Sequence, residues 1–171
     1  MAPNEPLDST SIQSLEPSKE SLRICCYGSS SPYTQERYTT DAYNLGQILC
    51  NRGHICVNGA GAFGCMGALN KGVEESNGTG KVVGVIHKMF VKETKEGNRN
   101  SWLEGCAPVF SNSENAEIYV AGGDDLQERK RMLMKDADAL IVLPGGPGTF
   151  DEVGCVLISF LMVYLSSILF I

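Results

Sequence analysis

The chain has 171 residues, of which 43% are hydrophobic and 20% charged, and its formal net charge is -6. This length allows one domain with a sizeable core, and the acidic balance argues against a nucleic acid as a partner, because a phosphate backbone requires a basic patch. Seven cysteines without a CxxC pair, and two histidines without ligand-like spacing to them, indicate neither a disulfide framework nor a metal site. We therefore expect reduced thiols, as in a cytoplasmic protein.

The two ends of the chain differ in composition from the middle. Residues 1–22 are polar, contain three prolines and lack the apolar segment of a secretory signal, so we interpret them as a disordered leader. Residues 153–171 form an apolar tail of 19 residues without a charge, which by hydropathy alone is a candidate membrane span. Between the ends, residues 23–152 read as one domain.

Within that domain, short β-rich runs alternate with helical patterns. This order predicts an α/β fold, a Rossmann-like doubly wound parallel sheet with crossover helices. The predicted strands are residues 23–28, 54–59, 81–87, 116–122 and 138–144, and the predicted helices are residues 34–52, 64–76 and 124–136. Gly53 is positioned to end the first helix. The fifth strand is apolar from residue 139 to residue 143, which indicates burial on both faces. Residues 88–116 lack a clear period and indicate a long loop.

A first glycine-rich turn, "NGAGAFGCMG", follows the second predicted strand. Gly59, Gly61 and Gly64 match GxGxxG, the pattern of a dinucleotide site. Two features oppose this interpretation, because the turn follows the second strand rather than the first, and the next strand ends in His87 rather than in an acidic residue. In the alternative, the glycines only let the backbone turn tightly into a helix.

A second glycine-rich turn, "LPGGPGTFDEV", follows the fifth predicted strand. Backbone N–H groups at the start of a helix favour an anion, and the glycines would let a phosphate approach closely. Thr149 and Glu152 also have the spacing of a capping box, in which each side chain binds the other's backbone N–H. Both interpretations stay open, as does a third, in which Asp151 and Glu152 set a catalytic carboxylate one turn behind a phosphate.

Arg129 and Lys130 lie on the predicted helix just before the fifth strand. A charge run of this kind is usually a solvated helical face, here paired with Asp125 and Glu128. One strand separates this helix from the second glycine turn, so Arg129 could reach the same crevice.

Together these motifs, with "YGSSS" after the first strand, resemble the LONELY GUY family of cytokinin riboside 5'-monophosphate phosphoribohydrolases. That family is marked by PGGxGTxxE, an upstream Arg-Lys pair, GGGxxGLMG and a GSSS-like first turn, and the resemblance covers roughly residues 23–152. It implies hydrolysis of the N-glycosidic bond of a cytokinin nucleotide, which releases the free base and ribose 5-phosphate. Many members of the family also accept AMP. The resemblance also implies a homodimer that requires no metal or organic cofactor.

The resemblance assigns roles to the matching residues. Arg129 and Glu152 would be catalytic, since a carboxylate can stabilise an oxocarbenium-like ribose or orient the attacking water. The residues expected to bind the substrate or its phosphate are Ser29, Gly61, Gly64, Lys130, Gly145, Gly146, Pro147, Gly148, Thr149 and Asp151. Folds of this kind are also labelled lysine decarboxylases, but the chain shows no context for a Schiff-base lysine.

After Glu152 the sequence departs from the family pattern. Members continue through an amphipathic helix, another strand and further helices, so we expect the C-terminal part of the fold to be missing or replaced. Three interpretations stay open: a truncated or misassembled gene product, a helix that buries itself in the core or a partner, and a membrane anchor, which no Lys or Arg flanks. The alternative function is then a nucleotide-binding homologue without turnover, in the third case tethered to a membrane.

Overall fold

A computed structural model describes residues 21–90 and 114–168 of the chain, with side chains up to residue 158. The predicted leader up to residue 20 and most of the predicted loop lie outside these ranges. In chain order, the described residues form β1 (Arg23–Tyr27), α1 (Glu36–Asn51), β2 (Ile55–Asn58), α2 (Gly64–Glu74), β3 (Lys81–His87), a 3-10 helix (Lys88–Phe90), β4 (Ala116–Ala121), α3 (Gln127–Met134), β5 (Ala139–Val142) and α4 (Pro147–Ile168).

The strands form one parallel sheet in the order β4-β3-β2-β1-β5. The chain adds β2, β3 and β4 successively on one side of β1 and then places β5 on the other side, where Tyr27 pairs with Val142. The strand order therefore reverses between β1 and β5. At such a reversal the connections leave the carboxyl ends of the strands in opposite directions and open a crevice, the usual ligand position in open α/β sheets.

Alternate residues of β1 supply the cores on the two faces of the sheet. Ile24 and Cys26 pack in a cluster with α1 and α2, whereas Cys25 and Tyr27 pack in a second cluster with α3 and α4. Helices therefore cover both faces, which confirms the predicted doubly wound α/β fold.

The prediction that the fifth strand is covered on both faces is wrong. β5 forms one edge of the described sheet, and its terminal residues Ala139 and Val142 are exposed. The helical layers cover the central strands of the sheet and extend less far over its edges. An apolar run in the sequence therefore does not distinguish a central strand from an edge strand.

The helix boundaries lie close to the predicted ones. Gly53, with a φ of +74°, follows the end of α1 as predicted. α3 begins at Gln127, three residues later than expected, because Oδ1 of Asp125 accepts the N–H of Gln127 at 2.9 Å and shapes a turn ahead of the helix.

Helix α4 runs without interruption from the predicted domain into the predicted tail. Within the described part of the chain, no helix combines the length and apolar character that a membrane span requires. The division into leader, domain and tail stays a prediction.

Candidate active site

The loop between β5 and α4 contains exposed glycines, which continue into the first turn of α4. Residues 144–148 are all exposed, and Pro147 occupies the first helical position, which suits its fixed φ and missing N–H. The carbonyl of Gly146 accepts the N–H of Phe150 at 3.2 Å. The N–H groups of Gly148 and Thr149 consequently have no acceptor inside the helix and are available to an anion.

The capping-box interpretation of Thr149 and Glu152 is wrong. A capping box places its threonine before the first helical residue, whereas Thr149 lies two residues after Pro147. Thr149 is buried, and its side chain fills the space that a Cβ on Gly145 would occupy. Thr149 therefore packs the glycine loop against the helix.

A cavity of about 280 Å³ opens between the turn after β1 and the loop after β5. Ser29, Gly145 and Gly146 contribute to its lining. Ser29 also joins the segments around it, because its N–H donates to the carbonyl of Pro144 at 3.0 Å and its carbonyl accepts the N–H of Met66 at 3.1 Å. Hydrogen bonds thus fix this crevice at the reversal point of the sheet.

Arg129 and Glu152 form a partly buried ion pair between α3 and α4. Nη1 of Arg129 lies 2.9 Å from Oε1 of Glu152, and the two side chains are only 15% and 16% exposed. Nε of Arg129 donates to the carbonyl of Val85 in β3 at 3.0 Å. Because the guanidinium is planar and rigid, binding at two points fixes its orientation and that of the carboxylate.

The surroundings of Glu152 disfavour its charge. Burial raises the pKa of the Glu152 carboxyl, although Arg129 opposes this change. Burial likewise raises the pKa of Cys25 to about 12 and the pKa of Tyr27, so both neighbours are neutral at physiological pH. A carboxyl whose pKa is raised exchanges its proton closer to neutral pH, as a general acid or base must.

Lys130, the next residue of α3, forms a second ion pair with α4. Its Nζ lies 2.6 Å from Oδ2 of Asp151 and 3.5 Å from Sγ of Cys155. The hydrogen bond to Asp151 raises the pKa of Lys130, which keeps the ammonium charged. Two consecutive residues of α3 thus pair with two consecutive residues of α4.

A larger cavity of about 560 Å³ lies between α3 and α4. Tyr27, Lys130, Glu152 and Val156 contribute to its lining. Of the predicted site residues, Lys130 and Glu152 line this larger cavity, and Ser29, Gly145 and Gly146 line the smaller one. The other predicted residues line neither cavity: Gly61, Gly64, Arg129, Pro147, Gly148, Thr149 and Asp151. Helix α4 connects the two cavities, because its first turn belongs to the loop and its second turn carries Glu152.

The GxGxxG turn after β2 is packed against protein atoms. A Cβ on Gly59 would overlap the guanidinium of Arg129, and a serine hydroxyl of the turn after β1 fills the corresponding space at Gly61. Gly64 has a φ of +61°, and a Cβ there would lie 2.5 Å from the carbonyl oxygen of Ser29. The space that a side chain would need is occupied at all three glycines, which supports the alternative that they let the backbone turn and pack tightly.

Sequence reasoning missed Asn58 and Asn70, which shape this turn. Both are fully buried, and Nδ2 of Asn58 donates to Oδ1 of Asn70 at 2.6 Å. Oδ1 of Asn58 accepts the N–H of Ala60 at 2.9 Å and holds that residue at a φ of +57°. Their only signal in the sequence is an amide at the end of an apolar strand and another inside a helix, where burial requires a partner.

The described residues show no cluster of three or more His, Cys, Asp or Glu side chains that could hold a metal ion. The cysteines at positions 25, 26, 50, 56, 65 and 155 do not form disulfides. Cys106 lies outside the described residues.

Comparison with known sequences identifies the family. The model of a family described as "Possible lysine decarboxylase" matches residues 66–163. The cytokinin riboside 5'-monophosphate phosphoribohydrolase LOG of Oryza sativa subsp. japonica is 34% identical over 130 residues, which cover 76% of this chain and 46% of LOG. The cytokinin riboside 5'-monophosphate phosphoribohydrolase LOG1 of Arabidopsis thaliana is 32% identical over 130 residues, which cover 76% of this chain and 52% of LOG1.

Solved structures share the fold at lower identity. The molybdenum cofactor carrier protein of Chlamydomonas reinhardtii has a TM-score of 0.56 at 21% identity, covering 82% of this chain and 72% of its own. The molybdenum cofactor binding protein of Rippkaea orientalis has a TM-score of 0.55 at 20% identity, covering 80% and 71%. At these identities the likeness shows the Rossmann-like fold alone.

The chain spans about half the length of the curated relatives it matches. The family model matches more than half of the chain, and its range contains both Arg129 and Glu152 as well as the second glycine loop. By this match and by its motifs, the chain belongs to the LONELY GUY family.

Proposed function

We propose that this chain hydrolyses the N-glycosidic bond of a cytokinin riboside 5'-monophosphate in the cytoplasm, releasing the free base and ribose 5-phosphate, and that AMP is also a substrate. The partly buried Arg129–Glu152 pair, one turn behind a glycine loop at a helix start, carries this proposal. The names of the relatives support the substrate class.

In this proposal the 5'-phosphate binds at the start of α4. The unpaired N–H groups of Gly148 and Thr149 and the positive end of the helix dipole favour an anion there. A Cβ on Gly146 or on Gly148 would meet no atom within 4 Å, so the described packing does not require glycine at either position. The open space around them is therefore available to a phosphate.

The acidic residues of α4 do not strongly repel that phosphate. Asp151 is paired with Lys130, and Glu152 is paired with Arg129, so each negative charge has a cation within 3 Å. These pairs therefore weaken the repulsion that the two carboxylates exert on a phosphate at the glycine loop.

Glu152 acts on the ribose in the proposed reaction. As the bond from the base to C1' breaks, the sugar acquires oxocarbenium character, and a nearby carboxylate stabilises its positive charge. The departing base keeps the electron pair of the broken bond. The same carboxylate takes a proton from the water that adds to C1' and passes it on to the base, which leaves as the neutral free base. Arg129 orients the carboxylate, and the bound phosphate holds the sugar in place for this step.

Lysine decarboxylation, which the description of the family model names, does not fit the described residues. With a pyridoxal cofactor that reaction needs a lysine that gives up its proton to form a Schiff base. Lys130 is the least exposed of the described lysines, and Asp151 raises its pKa. It is held as an ammonium ion, the opposite of what the cofactor requires.

The proposal is tested by incubating the purified chain with isopentenyladenosine monophosphate or AMP and measuring free base by liquid chromatography. We expect base release, and a loss of about 10²–10⁴-fold in kcat for Glu152→Gln or Arg129→Ala. Arg52→Ala, which removes an exposed arginine beyond the end of α1, is the matched control and should leave the rate unchanged. Intact nucleotide after long incubation with folded protein would contradict the proposal.

A nucleotide-binding homologue without turnover is the second candidate, because the glycine loop lines one cavity whereas Glu152 lines the other. Titration calorimetry distinguishes the two functions. Binding of AMP with no release of adenine would favour the second candidate.

A further inference from the structure

We infer, on the basis of the proposed function, that Gly59 is a positioning residue, whose missing side chain leaves the room in which the Arg129 guanidinium reaches Glu152. Gly59 directly follows the last residue of β2. A Cβ on Gly59 would overlap Nη2 of Arg129 and lie 3.5 Å from its Cζ.

The backbone at Gly59 is held in place from both sides. Oδ1 of Asn58 accepts the N–H of Ala60 at 2.9 Å, and Nδ2 of Asn58 donates to Asn70 at 2.6 Å. Nδ2 of Asn70 in turn donates to the carbonyl of Gly61 at 3.3 Å. Because these amides are fully buried and bonded to one another, the turn cannot move aside without leaving polar groups unpaired.

The guanidinium of Arg129 is the group that would move if a methyl group were added at Gly59. Its Nε binds the Val85 carbonyl, its Nη1 binds Glu152, and its Nη2 faces Gly59. A methyl group at Gly59 would therefore meet only the far end of a flexible side chain. We expect Gly59→Ala to displace the arginine while the fold is retained.

The displacement has a chemical consequence at Glu152. Arg129 favours the ionised form of this carboxyl against the effect of burial, so moving the guanidinium away raises the pKa of Glu152 further. Fewer molecules then carry the carboxylate at neutral pH, and those that do hold it in a less fixed orientation.

The test compares Gly59→Ala with Gly154→Ala, which adds the same methyl group to α4 at a point with no atom within 4 Å. The pKa of Glu152 is measured by carbon-detected NMR titration, with Glu152→Gln to assign the signal. We expect Gly59→Ala to raise this pKa and Gly154→Ala to leave it unchanged. With AMP as substrate, kcat should fall about 100-fold in Gly59→Ala with a smaller change in KM, and the acidic limb of the pH–rate profile should move to higher pH.

Combination with Arg129→Ala shows whether Gly59 acts through the arginine. In the Arg129→Ala background, Gly59→Ala should change neither the pKa of Glu152 nor the thermal midpoint, because the methyl group then has room. An unchanged pKa in Gly59→Ala, or an equal rise in both backgrounds, would overturn the inference. So would failure of both Gly59→Ala and the double variant to fold, which would show that the turn itself needs glycine.

The NMR titration requires no turnover. If the wild-type chain releases no base, the proposed function fails, and the titration still decides the role of Gly59.

Discussion

Glu152 occupies a position where burial and an ion pair act in opposite directions. Its pKa is raised, so burial outweighs the nearby arginine. Between the ordinary pKa of glutamate and the higher pKa in the folded chain, the folded state binds more protons than the unfolded state. Stability therefore falls as pH rises through this window, and the ionised carboxylate costs stability at neutral pH. Such a cost is typical of a group kept for its chemistry.

Glu152→Gln removes the titrating group and keeps a hydrogen-bond acceptor for Arg129. As pH rises above the ordinary pKa of glutamate, the thermal midpoint of the wild-type chain should therefore fall relative to that of the variant, until the pH passes the raised pKa of Glu152. Differential scanning calorimetry across this window measures the difference, with Glu74→Gln on α2 as the exposed-carboxylate control. Parallel profiles for wild type and Glu152→Gln would show that the pKa of Glu152 is not raised.

The sequence predicted which residues would meet at the site better than it predicted how they would meet. The Arg-Lys pair and the PGGxGTxxE motif indicated Arg129 and Glu152, and the structure brings them within hydrogen-bond distance. The spacing of Thr149 and Glu152 left a capping box open as one alternative, but the helix begins at Pro147, so these residues have other partners. The closeness of Gly59 to Arg129 could not be predicted, because the two residues are far apart in the sequence.

At the level of elements, the start of α4 combines an exposed glycine loop with N–H groups that lack helical acceptors. The glycines of this loop are not equivalent. Gly145 has Thr149 in the place of its missing side chain, whereas Gly146 and Gly148 face open space. Packing thus explains the first glycine, and ligand approach is our explanation for the other two.

Gly148→Ala separates ligand approach from packing. The added methyl group meets no atom in the free protein, and alanine favours a helix over glycine by about 1 kcal/mol, so stability should be retained or increased. The affinity for AMP should nevertheless fall about tenfold, or by roughly 1.4 kcal/mol, because the methyl group obstructs the phosphate. Calorimetric binding checks the affinity, and Gly145→Ala is the contrasting variant that should lose stability. Unchanged AMP affinity in Gly148→Ala would contradict a phosphate site at this loop.

The order of elements was predictable because strand and helix periods alternate along the chain, and only a parallel sheet with crossover helices accommodates that order. The position of each strand within the sheet was not predictable from these periods. β5 is as apolar in sequence as a central strand, yet it lies at an edge of the described sheet. Its position depends on which strand it pairs with, and the sequence of β5 alone does not specify that partner.

For the whole molecule, exposed apolar side chains on α4 are the most informative surface feature. Phe150, Leu157 and Ile158 are 74%, 63% and 60% exposed. Apolar side chains grouped on one helix are typical of a surface that a partner covers. We propose that a second copy of the chain covers it, in the homodimer that the family resemblance implies.

Light scattering coupled to gel filtration tests this assembly. We expect twice the mass of one chain for the wild type, and a shift toward the monomer in Leu157→Glu, which places a charge in the apolar surface. Glu74→Gln on α2, at an exposed position on the opposite face of the sheet, should leave the mass unchanged. A monomeric wild-type chain would rule the homodimer out.

The consecutive pairs Arg129–Glu152 and Lys130–Asp151 also fix the orientation of α3 relative to α4. Successive residues of a helix point about 100° apart, so each cation meets its own carboxylate at a single relative rotation of the two helices. The double variant Arg129→Lys with Lys130→Arg keeps composition and net charge and inverts only the order. It removes the forked donor that binds both Val85 and Glu152, and base release should be lost although every charge is still present. What the chain encodes at this point is the order of two neighbouring cations, which no measure of composition or total charge contains.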